Sequence, residues 1–104
     1  MSNSKVPWYP LGEIQRLVRD GERYLGPLAS RQLFERSWLA DDVWECILGM
    51  DVTCFCKSGV SHHPLHLGET WDAYKREFYG RRTWFEITID RLGKVKVISV
   101  HPTK

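Results

Sequence analysis

The sequence predicts an α+β fold in which N-terminal helices pack on a C-terminal antiparallel β-sheet. Two observations predict this class. Apolar residues recur with a helical period of about 3.6 residues up to Gly49, and with a strand period of about 2 after it. The chain has 104 residues, 42% of them hydrophobic, which suits one core and one domain over residues 1–104. Residues 1–8 precede the first periodic segment and are expected to be flexible.

Two helices are predicted before residue 40. The first begins at Pro10, because proline is favoured in the first helical turn, and ends at Gly21, a favoured C-terminal cap. Residues 22–25 are predicted to be extended. The second helix is predicted over residues 30–39. Its inward side chains are expected to be Leu33, Phe34 and Trp38.

A third helix is predicted from Asp42 to Gly49. Asp42 and Glu45 have the spacing of a capping box, in which two side chains satisfy free N–H groups at the start of a helix. The apolar stripe of this helix consists of Val43, Trp44, Ile47 and Leu48.

The second half of the sequence predicts an antiparallel meander of four strands, over residues 52–57, 70–79, 83–90 and 95–101. The third strand alternates most clearly, with Phe85 and Ile87 on one face and Trp84 and Glu86 on the other. Residues 91–93 end in glycine and predict a hairpin turn before the last strand.

Charge is divided unevenly between the two halves of the chain. Residues 1–52 carry six Lys/Arg against eight Asp/Glu, whereas residues 53–104 carry nine against five and all four His. A basic half indicates an anionic partner, although a solvated surface has the same pattern. The start of the chain has no signal-peptide pattern, no stretch is apolar enough for a membrane span, and the three Cys are odd in number. A cytoplasmic protein with reduced thiols is therefore expected.

Several segments carry a family resemblance. Residues 9–21 and 42–49 are followed by Phe55-Cys56-Lys57-Ser58 and by Trp71-Asp72-Ala73-Tyr74-Lys75. In order and spacing they resemble the MqsR-type toxins, the mRNA interferases of bacterial toxin–antitoxin pairs, whose fold is RelE-like. The two later segments are similar to the family's Asp-Phe-Tyr-Lys-Ser and Trp-Gln-Asp-Val-Tyr-Arg segments.

The resemblance implies an endoribonuclease that cleaves mRNA without a metal or another cofactor. It also implies a separate antitoxin protein as partner, in a toxin–antitoxin hetero-oligomer. The family's active-site lysine falls on Lys57, which is retained. The tyrosine before it falls on Cys56, the tyrosine of the following strand on Trp84, and the lysine of the last strand on His101. The family's glutamine after the first Trp has no counterpart here.

Metal-free RNA cleavage needs a base for the 2′-OH proton, a cation for the phosphorane and an acid for the leaving 5′-oxygen. An imidazole can exchange protons near neutral pH, so His101 is the predicted general acid or base. Lys57 is the predicted phosphorane-stabilising cation. His63, or the loop histidines at 62 and 66, would supply the second proton carrier. The residues expected to contact RNA are Trp84, which would stack a base, and Lys75, Arg76, Arg81, Arg82 and Tyr74.

Three other functions stay open. The domain could bind RNA or a partner protein without cleaving, since the family's glutamine and tyrosine are missing. Alternatively, Cys54 and Cys56 lie two apart in a predicted strand, hence on one face, and could bind zinc with His62, His63 or His66. Cys56 beside a histidine could also act as a nucleophile.

Overall fold

The protein is described by a computed structural model that covers residues 3–4, 6–62 and 68–103. In these residues, three helices pack with a six-stranded sheet around one core, which confirms the predicted α+β class and the single domain. The helices are α1 (Leu11–Arg19), α2 (Pro27–Arg36) and α3 (Ala40–Leu48). The strands are β1 (Asn3–Ser4), β2 (Arg23–Leu25), β3 (Phe55–Val60), β4 (Thr70–Phe78), β5 (Arg81–Ile89) and β6 (Val95–Pro102).

The sheet has the strand order β1-β3-β4-β5-β6-β2. Strands β3 to β6 form the predicted antiparallel meander. The predicted extended piece after α1 becomes β2, which adds to the meander in parallel beside β6, while β1 pairs antiparallel with β3. Both edges of the sheet are therefore formed by the first quarter of the chain.

Helices α1 and α3 pack on one face of the sheet, whereas α2 lies along β6, where Gln32 bonds to Ser99 and Val100. Strand alternation decides which side chains lie beneath α1 and α3. Thr83, Phe85 and Ile87 of β5 are fully buried, as the predicted alternation requires. The helix residues that complete this core include Ile14, Val18, Val43 and Ile47. Trp84 and Glu86, which lie between the buried positions of β5, point to the opposite face.

The second helix differs from its predicted bounds and orientation. Helix α2 begins at Pro27, three residues before the predicted start, and ends at Arg36 before Ser37, whose φ of 58° turns the chain. Leu33 is buried, but Phe34 is 86% exposed, so the expectation that Phe34 packs inward is wrong. The phase of α2 is fixed by Gln32, whose side-chain oxygen accepts from the backbone N–H of Val100 at 2.7 Å.

The predicted capping box of α3 is absent. The helix starts earlier, with Leu39 as N-cap, and no side chain caps its first turn. Asp42 instead accepts a hydrogen bond from the Tyr79 hydroxyl, which comes from the turn between β4 and β5. The Asp42 carboxylate therefore bonds to a residue that is distant in sequence and does not cap the helix.

The first strand of the meander starts later than predicted. Residues 52–54 form a 3₁₀ turn, and β3 begins at Phe55. The Asp51 side chain accepts from the backbone N–H of Thr53 at 2.9 Å and from its hydroxyl. This local capping outweighs the strand preference of the β-branched residues in the turn.

The segment before α1 is tied to the sheet through a buried carboxylate. Asp72 is fully buried and accepts from the backbone N–H groups of Trp8 at 2.9 Å and Tyr9 at 3.0 Å. The indole N–H of Trp8 donates to the carbonyl oxygen of Gly59 at 3.0 Å. At Trp8, this anchoring differs from the expected flexible start of the chain.

Burial raises the pKa of Asp72 above its usual 3.8, and the N–H groups of Trp8 and Tyr9 oppose this only in part. The folded protein thus holds this proton more tightly than the unfolded chain does. The carboxyl therefore contributes stability that is complete below the unfolded pKa and is lost as the pH rises through the folded pKa.

We expect Asp72→Asn to lower the free energy of unfolding by about 1–2 kcal/mol, because an amide can accept one of the two N–H groups but not both. Since asparagine does not titrate, the deficit should be larger at about pH 4 than at about pH 7. Urea unfolding of both proteins across this range measures the difference. A deficit that grows towards neutral pH would contradict the raised pKa.

Candidate functional site

The face of the sheet opposite α1 and α3, which α2 borders beside β6, brings three predicted site residues into one row. Lys75 of β4 pairs with Trp84 of β5, and Trp84 pairs with His101 of β6. Side chains that pair directly across antiparallel strands point to the same face. Strands lie about 4.8 Å apart, so Lys75 and His101 are separated by about 10 Å at the backbone, with the indole between them.

A second row runs beside the first. Lys57 of β3 pairs with Ala73 of β4, and Ala73 pairs with Glu86 of β5. The small Ala73 side chain leaves Lys57 and Glu86 as the large groups of this row. We call the surface formed by these two rows the open face; its polar and aromatic members are Lys57, Lys75, Trp84, Glu86 and His101.

Trp84 organises the charges of the open face. The ammonium nitrogens of Lys57 and Lys75 lie 5.6 Å and 5.8 Å from the centroid of its ring, within the range of cation–π attraction. Its indole N–H donates to a carboxylate oxygen of Glu86 at 3.0 Å. The ring orientation is thus fixed by Glu86, and the two positive charges are held beside a single aromatic surface.

His101 is half-buried, and its Nδ1 lies 3.2 Å from the carbonyl oxygen of Pro102. When Nδ1 carries the proton, it donates to that oxygen, and the second ring nitrogen, Nε2, is then the one that can exchange a proton with a ligand. The imidazole is thereby oriented by its own backbone, next to Trp84 in the first row.

The arginines at the β4–β5 turn extend this surface. Arg82 lies two residues before Trp84 on β5, hence on the same face, and its side chain is exposed. Arg81, also exposed, occupies the neighbouring position of the turn. The carbonyl oxygen of Arg82 accepts from the backbone N–H of Thr103, which fixes this end of the strand to the end of β6.

Two residues expected to bind RNA lie on the other side of the sheet. Tyr74 is 1% exposed and packs in the core beneath the helices. The Arg76 guanidinium donates to the carbonyl oxygen of Cys46 at 3.2 Å and lies against Gly49 at the end of α3. Neither side chain reaches the open face, because both alternate with Lys75 along β4.

The loop histidines are only partly described. His62 is exposed at the start of the loop after β3. His63, the predicted second proton carrier, and His66 lie outside the described residues. The structure therefore places one predicted imidazole, His101, on the open face.

Cys54 and Cys56 are not arranged as the predicted zinc site requires. Cys54 belongs to the 3₁₀ turn and Cys56 to β3, so the two do not share one face of a strand. The Cys56 thiol donates to the carbonyl oxygen of Cys54 at 3.7 Å. Within residues 3–4, 6–62 and 68–103, no three side chains of His, Cys, Asp or Glu come together as metal ligands.

Glu86 is the member of the open face to which the sequence assigned no role. The available signal was its position two residues after Trp84, which places both on one face of a strand. The Glu86 side chain also lines a pocket of about 610 Å³ between the sheet and the start of α2. Further residues around this pocket are Leu28, Arg31, Trp71, Lys96 and Ile98.

The Tyr74 hydroxyl has no hydrogen-bond partner among the described residues, and burial raises its pKa. We expect Tyr74→Phe to leave the free energy of unfolding unchanged or to raise it by up to about 1 kcal/mol, because it removes an unsatisfied buried group. The affinity of the protein for RNA should not change. Urea unfolding and RNA titration measure the two quantities.

Tyr79→Phe is the matched control for this substitution. The Tyr79 hydroxyl donates to Asp42 and accepts from the backbone N–H of Leu39, so its removal should cost about 0.5–1.5 kcal/mol. If Tyr74→Phe costs as much as Tyr79→Phe, the buried hydroxyl has a partner after all.

No helix in the described part of the chain is both long and apolar enough to span a membrane. The sequence matches no protein-family model, and no curated protein matches it significantly.

Proposed function

We propose that the open face binds single-stranded RNA and cleaves it without a metal ion. The observation that carries this proposal is the convergence of Lys57 and Lys75 on the Trp84 ring, with His101 paired to the same tryptophan. Cations bind phosphates, an aromatic ring stacks bases, and an imidazole transfers protons. The cation and a proton carrier are two of the groups that metal-free cleavage requires, and the aromatic ring would hold the substrate.

Lys57 is proposed to stabilise the phosphorane. In this reaction the ribose 2′-oxygen attacks the adjacent phosphorus, and the negative charge on the phosphoryl oxygens increases in the transition state. A fixed cation aimed at that charge stabilises the transition state more than the ground state. The contact with Trp84 restricts the Lys57 side chain, so less of its conformational freedom is lost when the phosphate binds.

Trp84 and the neighbouring cations are proposed to hold the strand. Stacking of a base on an aromatic side chain contributes about 1–3 kcal/mol and tolerates different bases. A base stacked on the Trp84 ring would bring its own phosphates close to Lys57 and Lys75. Arg82, with Arg81 beside it, would hold a phosphate further along the strand.

The wider proposal is a bacterial toxin of a type II toxin–antitoxin pair. In this proposal the protein is an MqsR-type toxin with a RelE-like fold that acts on mRNA in the cytoplasm. An antitoxin protein would hold it inactive in a hetero-oligomer. The support is the order of three helices followed by a four-stranded meander, together with the retained Lys57 in its Phe55-Cys56-Lys57-Ser58 segment.

A second candidate function is RNA binding without cleavage. It is favoured by the position of Cys56, which stands where the family has a tyrosine, and by the single imidazole that the described residues place on the open face. Such a module would keep the salt dependence of phosphate binding but would have no turnover.

The test is an RNA cleavage assay with purified protein in EDTA. The substrate is a synthetic single-stranded RNA, and the control is the same RNA with 2′-O-methyl groups. Cleavage of the unmodified RNA alone, with 2′,3′-cyclic phosphate and 5′-hydroxyl ends, would support the nuclease. Salt-dependent binding without cleavage would support the second function. The absence of both binding and cleavage would contradict both functions. Products with 5′-phosphate ends would contradict the proposed reaction.

A further inference from the structure

We propose that Glu86 is the general base that accepts the 2′-OH proton, with His101 as the acid that protonates the leaving oxygen. This inference rests on the proposed RNA cleavage and identifies the second proton carrier. The observation behind it is that a carboxylate and an imidazole flank the same tryptophan on the open face.

The strand register sets the separation of the two groups. Trp84 pairs with His101, and Glu86 pairs with Ser99, two residues earlier on β6. Glu86 and His101 are therefore diagonal neighbours, whose backbone positions lie about 7–8 Å apart. Two side chains that start at this distance can face opposite sides of one phosphate, which in-line attack requires.

Glu86 is held in position with one oxygen available. One carboxylate oxygen accepts the Trp84 indole N–H at 3.0 Å. A carboxylate has two oxygens and several lone pairs, so the second oxygen can accept a proton while the first keeps its contact. Glu86 also lines the pocket of about 610 Å³ beside α2, so its side chain borders open space.

The groups that face Glu86 carry mostly positive charge. They are Lys57 from β3, Lys96 and His101 from β6, Arg31 from α2, and the acidic Glu69 before β4. These cations would attract the phosphates of a bound RNA towards Glu86.

The proposed step is balanced in atoms and electrons. The 2′-O–H bond breaks and its proton passes to the Glu86 carboxylate, while the 2′-oxygen forms a bond to phosphorus. The bond from phosphorus to the 5′-oxygen then breaks, and that oxygen takes a proton from the His101 imidazolium. The products are a 2′,3′-cyclic phosphate and a 5′-hydroxyl. Lys57 neutralises the phosphorane and transfers no proton.

The discriminating variant is Glu86→Gln. Its amide oxygen can still accept the Trp84 indole N–H, so the ring keeps its position, but the side chain no longer takes up a proton. We expect kcat to fall by about 100-fold or more, with KM little changed. The acid-side limb of the pH–rate profile should disappear, whereas in His101→Ala the alkaline-side limb should disappear. Glu45→Gln, which removes a charge from exposed Glu45 on α3, on the other side of the sheet from the open face, is the matched control and should behave like the wild type.

The outcomes separate this inference from the proposed function. A wild-type protein that cleaves RNA, together with a Glu86→Gln variant of equal kcat and an unchanged acid-side limb, would overturn the role of Glu86 alone. A variant that loses activity only through KM would show that Glu86 positions Trp84 and is not the base. A wild type without any cleavage overturns the proposed function and this inference with it.

Discussion

Replacing Lys57 with alanine should lower the rate of RNA cleavage by about 100-fold or more, which corresponds to about 2.7 kcal/mol of lost transition-state stabilisation. The reason is that the charge on the phosphoryl oxygens is greatest in the transition state. Affinity for RNA should fall much less, and the slope of its salt dependence should decrease by about one. Single-turnover cleavage and titrations at several salt concentrations measure these quantities.

Lys94→Ala is the matched control for this variant. Lys94 is exposed in the turn before β6, where it lies 4.0 Å from Glu22, far along the sheet from the Trp84 ring. Lys94→Ala removes one positive charge from the protein, as Lys57→Ala does, but none from the open face. If both variants lose the same activity, net charge rather than position would explain the effect, and the proposed role of Lys57 would be wrong.

Phe85→Ala should lower the free energy of unfolding by about 3–5 kcal/mol. Phe85 is fully buried in the central strand β5, and its ring packs edge-to-face on Phe78 with centroids 5.5 Å apart. The substitution would leave a cavity beneath the helices that the neighbouring strands cannot fill. Domains of this size have total stabilities of about 5–15 kcal/mol, so the variant loses a large fraction of its stability. Urea unfolding at neutral pH measures the change.

Phe34→Ala provides the control for the loss of a phenyl ring. Phe34 is 86% exposed on α2, so its removal should change the free energy of unfolding by about 0.5 kcal/mol or less. A large effect at Phe34, or a small one at Phe85, would contradict the packing described above.

The sheet could be predicted from the sequence because strand alternation has a fixed period. The polar and apolar residues of β5 assign Phe85 to the core and Trp84 to the open face without any tertiary information. The turn at Gly93, where φ is +81°, places the next strand antiparallel to it. Local signals were sufficient here because they agree with the packing.

The helical half shows where local signals are insufficient. Leu33 and Phe34 are adjacent apolar residues, and the sequence alone does not say which one a helix buries. The choice depends on the contact of Gln32 with β6, 68 residues away in sequence. Asp42 likewise has the spacing of a helix cap, but it pairs with Tyr79 from the sheet.

The candidate site was predicted in part for a similar reason. The resemblance identifies Lys57, Trp84 and His101 singly, and only the strand register shows that they are neighbours. The prediction that Tyr74 and Arg76 contact RNA together with Lys75 is wrong, because three consecutive residues of a strand cannot all point to one face. The alternation of β5 places Glu86 on the face of Trp84, but its hydrogen bond to the indole is visible only in three dimensions.

The edges of the sheet bear on self-association. Long unpaired strand edges invite pairing with another chain, and here the edge strands β1 and β2 have only two and three residues. In the described residues, β1 pairs with Ser58 and Gly59 but not with the start of β3. The start of β3 has a register shift between Phe55 and Lys57 and carries the positive charge of Lys57. Both the irregular pairing and this charge oppose edge-to-edge aggregation. Lys57→Ala should therefore also lower solubility, and its cleavage rate must be measured on protein whose size distribution matches that of the wild type.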